Sequence, residues 1–300
     1  MRPLRALIIY LVVVFIGGAL LAPWLYWLAG MFASSFPHVA NSPFHRFVVR
    51  SFLILALIGL WPLLRALGLK SVRETGLVSP RGQWKKFGAG LLFGCIILAV
   101  DAAIVIASHG RIAGHDLSAH KIVGTVANAA GAAAIVAVLE EVLFRGGIFG
   151  GLRKTFYWPL ALATSSVIFA LMHFIRHAEF TGPVAWNSGL VLLPRMLGGF
   201  AYFNALVPGF FTLLLAGILL GLAYQRTGNL YFSIGLHAGW IFCIKTYGAL
   251  TSSPNHVSSW IWGSGKMIDG WLAFWILGAA LVIFPFLPLK PAREPFAITR

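Results

Sequence analysis

Charged side chains are scarce in this sequence, and acidic ones are the scarcest. Only 10% of the 300 residues are charged, and eight carboxylates stand against 23 basic side chains. Ordinary globular chains carry about 25% charged residues. With 59% hydrophobic residues and a mean hydropathy of +0.86, this composition excludes a soluble domain. Several apolar runs reach the roughly 20 residues of a spanning helix, so we predict an all-α, polytopic membrane helix bundle.

Cysteines and several protease signatures are also missing. The only two cysteines, Cys95 and Cys243, fall within apolar runs and form no CxxC motif. We therefore interpret them as packing residues and predict no disulfide. The sequence also lacks HExxH, a rhomboid-type GxSG and paired YD/GxGD aspartates. The sequence therefore carries none of the signatures that define HExxH metalloproteases, rhomboid-type serine proteases and GxGD-type aspartyl proteases.

We predict one integral membrane domain, residues 1–300, with eight spans and both termini in the cytoplasm. The spans are 7–32, 47–69, 87–108, 123–149, 158–175, 205–224, 230–250 and 271–289. Segments 1–5, 65–86, 153–154, 226 and 290–300 hold fourteen Lys and Arg residues, and the opposite loops hold seven. Cytoplasmic loops are the ones enriched in basic residues, so this bias sets the orientation and explains the net charge of +15 without nucleic acid. Residues 174–204 form a loop or an interfacial or re-entrant helix.

Two of the eight carboxylates are adjacent, in the run Glu140-Glu141-Val-Leu-Phe-Arg145. An acidic side chain at mid-membrane depth costs roughly 2.5–3.5 kcal/mol to insert, so it is rare unless something uses it. Glu141 and Arg145 have the i,i+4 spacing of a helical ion pair. Glu140 lies about 100° further around the helix, so we expect it to face a neighbouring helix. The alternative is a charge cluster that only locks helix packing.

Two histidines in later spans are the candidate partners of Glu140. Spans four and five form a hairpin, and His173 is as far from its turn as Glu140, so we predict that these two residues lie level with each other. His237 lies in span seven between Gly235 and Gly239, a small-xxx-small pair that lets a neighbouring helix approach closely. A lone histidine is typical of a hydrogen-bonded core position. Three ionisable sites on three helices favour one shared polar site in the cytoplasmic half of the membrane.

These motifs, in this order, resemble those of the CPBP family of CAAX proteases and bacteriocin-processing enzymes, also called the ABI family. EExxxR is found at 140–145, FxxxH at 169–173, and the later histidine is His237. The resemblance covers about residues 125–250, the predicted catalytic core, and implies a bacterial inner membrane protein. The third motif departs from the family pattern. Ile241 stands four residues after His237, where the family usually has Asn or Asp.

The resemblance implies an intramembrane endopeptidase that hydrolyses a peptide bond of a membrane-associated peptide or protein. Glu140 then activates a water, and His173 and His237 position that water or stabilise the oxyanion, directly or through a divalent metal. Glu141 and Arg145 brace the helix or share the acid–base work. Two histidines and a carboxylate suit a catalytic zinc with an open position, although the motifs do not establish a metal.

Two other functions remain open at this point. A non-catalytic relative acting as a scaffold or a bacteriocin-immunity factor would keep the polar cluster for packing, and Ile241 supports it. A transporter would use the acids as a proton relay, but the inverted repeats expected of one are not visible. The motifs specify neither a prenylated substrate nor an oligomeric state.

Overall fold

The structure, a computed structural model, describes residues 2–114, 117–176, 178–254 and 259–289. The α-helices are α1 (Arg2–Val12), α2 (Gly18–Met31), α3 (Pro37–Ala40), α4 (Phe44–Ala66), α5 (Trp84–Ala107), α6 (Ala119–Glu141), α7 (Gly150–Leu152), α8 (Trp158–Met172), α9 (Ser188–Met196), α10 (Phe203–Thr227), α11 (Tyr231–Leu250), α12 (Ser259–Trp262) and α13 (Trp271–Ile283). π-Helical turns occupy Val13–Gly17 and Val142–Phe149, and 3₁₀ turns occupy Val72–Thr75, Leu197–Ala201 and Phe284–Phe286. Strands β1 (Ile112–Ala113) and β2 (Thr251–Ser252) pair antiparallel.

The helices confirm the predicted all-α membrane bundle. Five of them in the described ranges are long and apolar enough to cross a membrane: Pro3–Met31, Phe44–Ala66, Trp84–Ala107, Ala119–Leu152 and Phe203–Thr227. Shorter apolar helices are Trp158–Met172, Ser188–Ala201 and Trp271–Phe286. Most residues of every predicted span are helical. That all eight of these segments cross the membrane remains a prediction. Residues 290–300, on which the predicted orientation partly rests, lie outside the described residues.

Backbone contacts divide the chain into two compact units. The first consists of Met1–Lys70 and Met172–Tyr202, and the second of Ser71–Leu171 and Phe203–Arg300. The predicted single domain remains a prediction. Most of the predicted core, residues 125–250, belongs to the second unit.

In the first unit, α9 shows that the uncertain stretch 174–204 contains a nine-residue helix. Gly189 at its start lies directly against the backbone of Ala19, where a Cβ would collide with the carbonyl group. The helix therefore packs closely on α2. One buried hydrophobic cluster of this unit consists of Ala22, Phe44, Val48, Leu192 and Met196.

In the second unit, glycines bring α5 and α11 into direct backbone contact. Gly90 and Gly94 of α5 lie against the backbone of α11, and Gly235 and Gly239 of α11 lie against the backbone of α5. Gly90 lies against Phe232 and Gly94 lies against Leu236, so residue numbers rise together along the two helices. The two helices therefore run in the same direction. The close approach predicted for the α11 pair is confirmed, and it holds the helix that carries the later histidine.

A second pair of helices in this unit, α10 and α13, also runs in one direction. Phe211 stacks on Trp271 with 6.2 Å between ring centroids. Near the ends of the same helices, Arg226 donates to the carbonyl oxygens of Phe284 and Leu287 at 2.7 and 2.8 Å. Both parallel pairs agree with the predicted order, in which spans three and seven, and spans six and eight, cross in the same direction.

Candidate functional site

The predicted ion pair between Glu141 and Arg145 is present and fully buried. The Nη1 atom of Arg145 lies 3.0 Å from Oε1 of Glu141, and the two side chains are 2% and 0% exposed. The guanidinium also donates to the carbonyl oxygen of Gly217 at 3.4 Å and lies 4.2 Å from the ring centroid of Phe169. Phe169 belongs to the FxxxH motif, so the sequence singled this residue out. Nothing in the sequence pattern indicated that the Gly217 carbonyl would bind Arg145. Arg145 is thus held on three sides.

The imidazole of His237 lies between the two carboxylates. Its Nδ1 atom is 3.0 Å from Oε1 of Glu141, so this carboxylate is shared with Arg145. Its Nε2 atom lies 3.8 Å from Oε2 of Glu140, too far for a direct hydrogen bond. The ring of Phe169 packs edge-on against the imidazole at 5.9 Å. The structure therefore brings together four of the five predicted site residues.

The two glutamates occupy different surroundings, as their angular separation predicted. The side chain of Glu141 is fully buried, whereas that of Glu140 is 29% exposed. The Oε2 atom of Glu140 is nevertheless buried and receives no hydrogen bond from the described residues. Glu141 is thus occupied by two partners, while Glu140 keeps a free acceptor directed at the histidine.

A π-helical segment, Val142–Phe149, begins directly after Glu141 and contains Arg145. Such segments are rare and frequently occur at functional sites. Ser165 of α8 donates to the carbonyl oxygen of Phe144 at 3.0 Å and so ties the segment to its neighbour. The sequence analysis did not predict this irregularity, although the segment contains Gly146 and Gly147, which are poor helix formers.

The structure places His173 differently from the prediction. Helix α8 ends at Met172, and His173 lies in the following turn with an exposed side chain. The prediction of a span that continues to residue 175 is therefore wrong. Beyond the turn, the amide of Arg176 bonds to the carbonyl oxygen of Met196 at 2.9 Å, so the backbone pairs with the end of α9 instead of continuing α8. His173 belongs to the first unit and lies beyond the end of α8, so the regular helical hairpin that predicted it level with Glu140 does not extend to this residue.

The residues around His237 do not fit a catalytic zinc. Such a site takes three protein ligands, whereas this cluster offers the Glu140 carboxylate and Nε2 of His237, and the Glu141 carboxylate already binds Arg145 and His237 through Oε1. Over the described ranges, no group of three or more His, Cys, Asp and Glu side chains is placed to hold a metal ion. We therefore derive no step through a metal.

Comparison with known proteins identifies the segment that contains this cluster. Residues 122–243 match the family model of the type II CAAX prenyl endopeptidases, Rce1-like. No curated protein and no solved structure matches the chain. The matched segment contains all three motifs, and it agrees closely with the predicted core of 125–250. The match over residues 122–243 thereby confirms, for this segment, the resemblance to the CPBP intramembrane proteases that the motifs predicted.

Proposed function

We propose that this protein is an intramembrane endopeptidase in which Glu140 accepts the proton of the attacking water. One observation carries the proposal: His237 lies between the two carboxylates, 3.0 Å from Glu141 and 3.8 Å from Glu140. The family domain supports an intramembrane protease, and the roles of the individual residues are our proposal.

The gap between Glu140 and His237 has the size that a catalytic water requires. Hydrogen bonds between a water and these groups are about 2.8 Å long. The lengths of two such bonds add up to more than the 3.8 Å between Oε2 of Glu140 and Nε2 of His237. One water placed to the side of the line that joins these two atoms can therefore bind both of them. Because Oε2 of Glu140 accepts no other hydrogen bond from the described residues, it is available to take the proton.

Glu141 orients the imidazole for this task. A carboxylate paired with a guanidinium only accepts hydrogen bonds, so Nδ1 of His237 carries a proton and donates to Glu141. The Nε2 atom then points towards Glu140 and positions the water. A buried carboxylate that fixes the tautomer and orientation of a histidine in this way is a recurring catalytic arrangement.

Proton transfer to Glu140 redistributes the charge between the cluster and the substrate. With a neutral His237, two carboxylates and one guanidinium sum to −1. When Glu140 takes the water's proton, the cluster becomes neutral and the negative charge moves onto the substrate oxygen, so the total charge of cluster and substrate stays at −1. The water oxygen bonds to the scissile carbonyl carbon as Glu140 takes the proton. Glu140 then returns the proton to the amide nitrogen, and the C–N bond breaks.

A prenylated peptide ending in a CAAX sequence is the proposed substrate class, because the family description names it. The test reconstitutes the full chain in lipid vesicles with a fluorogenic membrane-anchored peptide, prenylated or not. Glu140→Gln keeps the size of the side chain but cannot take the proton. We expect cleavage to fall by roughly 10²–10⁴-fold, with an unchanged melting temperature in detergent.

Glu74→Gln is the matched control, since Glu74 forms an exposed ion pair with Lys154 at 3.4 Å in the same unit. It should cleave at the wild-type rate. If Glu140→Gln cleaves normally, or if no peptide is cut and the site variants only melt early, the cluster is structural and the scaffold interpretation is correct. We expect a chelator to leave cleavage unchanged. A loss that Zn²⁺ restores would add a metal to the site.

A further inference from the structure

Trp240 carries a buried donor without an acceptor. The residue is 6% exposed, and its indole Nε1 receives no hydrogen-bond partner among the described residues. Buried polar groups almost always have a partner, and leaving one unsatisfied is costly. Buried serine and threonine hydroxyls elsewhere in the unit also lack partners, but such a hydroxyl can rotate onto a carbonyl of its own helix. An indole nitrogen only donates and cannot reach its own backbone.

The unsatisfied donor stands next to the candidate site. Trp240 follows His237 by three residues on α11, so both side chains occupy one side of the helix. Their ring centroids are 6.3 Å apart, with an interplanar angle of 63°. The neighbouring residue Gly239 lies against the backbone of α5, where a Cβ would meet Leu91 and Cys95. The backbone that carries the indole is therefore held in place.

The other donors of the cluster are already engaged. Arg145 binds Glu141 and the Gly217 carbonyl, and Nδ1 of His237 binds Glu141. One turn after the histidine, Ile241 offers no donor at all. An enzyme that adds water to a peptide carbonyl needs a donor for the oxygen on which negative charge develops.

On the basis of the proposed function, we propose that the indole N–H of Trp240 binds the oxygen of the scissile carbonyl. The hydrogen bond strengthens when the water activated by Glu140 attacks and the oxygen becomes an oxyanion. No proton leaves the indole in this step. The substrate oxygen is then the acceptor that Trp240 lacks in the free protein, and Trp240 is a catalytic residue of the site.

The test compares Trp240→Phe with the wild type in the vesicle assay with the prenylated peptide. The variant keeps an aromatic ring and loses only the N–H group and part of the ring area. We expect kcat to fall by roughly 10²–10³-fold, as for other lost oxyanion donors, while KM and the melting temperature stay nearly constant. Trp84→Phe, at an exposed position at the start of α5, is the control and should be unaffected.

A double variant separates catalysis from packing. Trp240→Phe combined with Ile241→Asn places an amide donor one turn after His237, and it should recover part of the lost kcat. The proposal is overturned if Trp240→Phe cleaves at the wild-type rate. It is also overturned if activity falls only with the melting temperature and the added amide restores nothing. Cleavage that depends on Glu140 but not on Trp240 would refute this inference alone, whereas a wild type that cleaves no peptide would refute the proposed function as well.

Discussion

Glu141→Gln provides the sharpest test of how the two adjacent carboxylates divide their work. Glu141 is fully buried and is the only acid that forms an ion pair with Arg145 among the described residues. Neutralising it leaves a guanidinium at 2% exposure without its direct ion-pair partner. Breaking a buried pair in this way costs roughly 3–5 kcal/mol. A loss of that size corresponds to a fall in melting temperature on the order of 10 °C.

The amide that replaces the carboxylate still accepts a hydrogen bond from Nδ1 of His237, so the main effect should be on stability. Melting in detergent and cleavage in vesicles are measured for Glu141→Gln, for Glu140→Gln and for Glu141→Gln combined with Arg145→Met. The double variant removes both charges and should recover most of the melting temperature, because an apolar replacement of a buried ion pair is often neutral. Glu140→Gln should show the reverse pattern, with a normal melting temperature and slow cleavage. A Glu141→Gln protein that melts like the wild type, or a double variant that melts no higher than the single one, would refute the reasoning.

Three further predictions concern packing, the displaced histidine and topology. Gly94→Ala should lower the melting temperature, since its Cβ would collide with the Leu236 carbonyl of α11, whereas Gly88→Ala on the same helix meets nothing within 4 Å. Gly88→Ala should therefore be neutral or stabilise by about 0.5–1 kcal/mol, and equal effects of the two would show that α5 and α11 do not touch there. His173→Ala should cleave at the wild-type rate, because the proposed mechanism uses no group of this exposed residue; slower cleavage at an unchanged melting temperature would return His173 to the site. A reporter active only in the cytoplasm, fused after Arg300, should be active, and an inactive reporter on an intact fusion would show that the number of spans is odd.

The sequence by itself determined the features that depend on local chemistry. Apolar runs predict membrane helices because the energy of insertion adds up residue by residue along a segment. The Glu141–Arg145 pair follows from the i,i+4 spacing of one helix. The close packing at Gly235 and Gly239 follows from the small size of the residues themselves.

Only the tertiary structure decided which groups from different helices meet. The histidine of α11 lies beside both glutamates because α11 packs against α6, the helix that carries them, as well as against α5. The end of α8 at Met172 depends on a hydrogen bond from Arg176 to Met196, twenty residues further along the chain. Hydropathy continues across that boundary, so a local pattern predicts a span that runs on to residue 175. A contact between distant segments outweighed local helix propensity at this position, and no local spacing records such a contact.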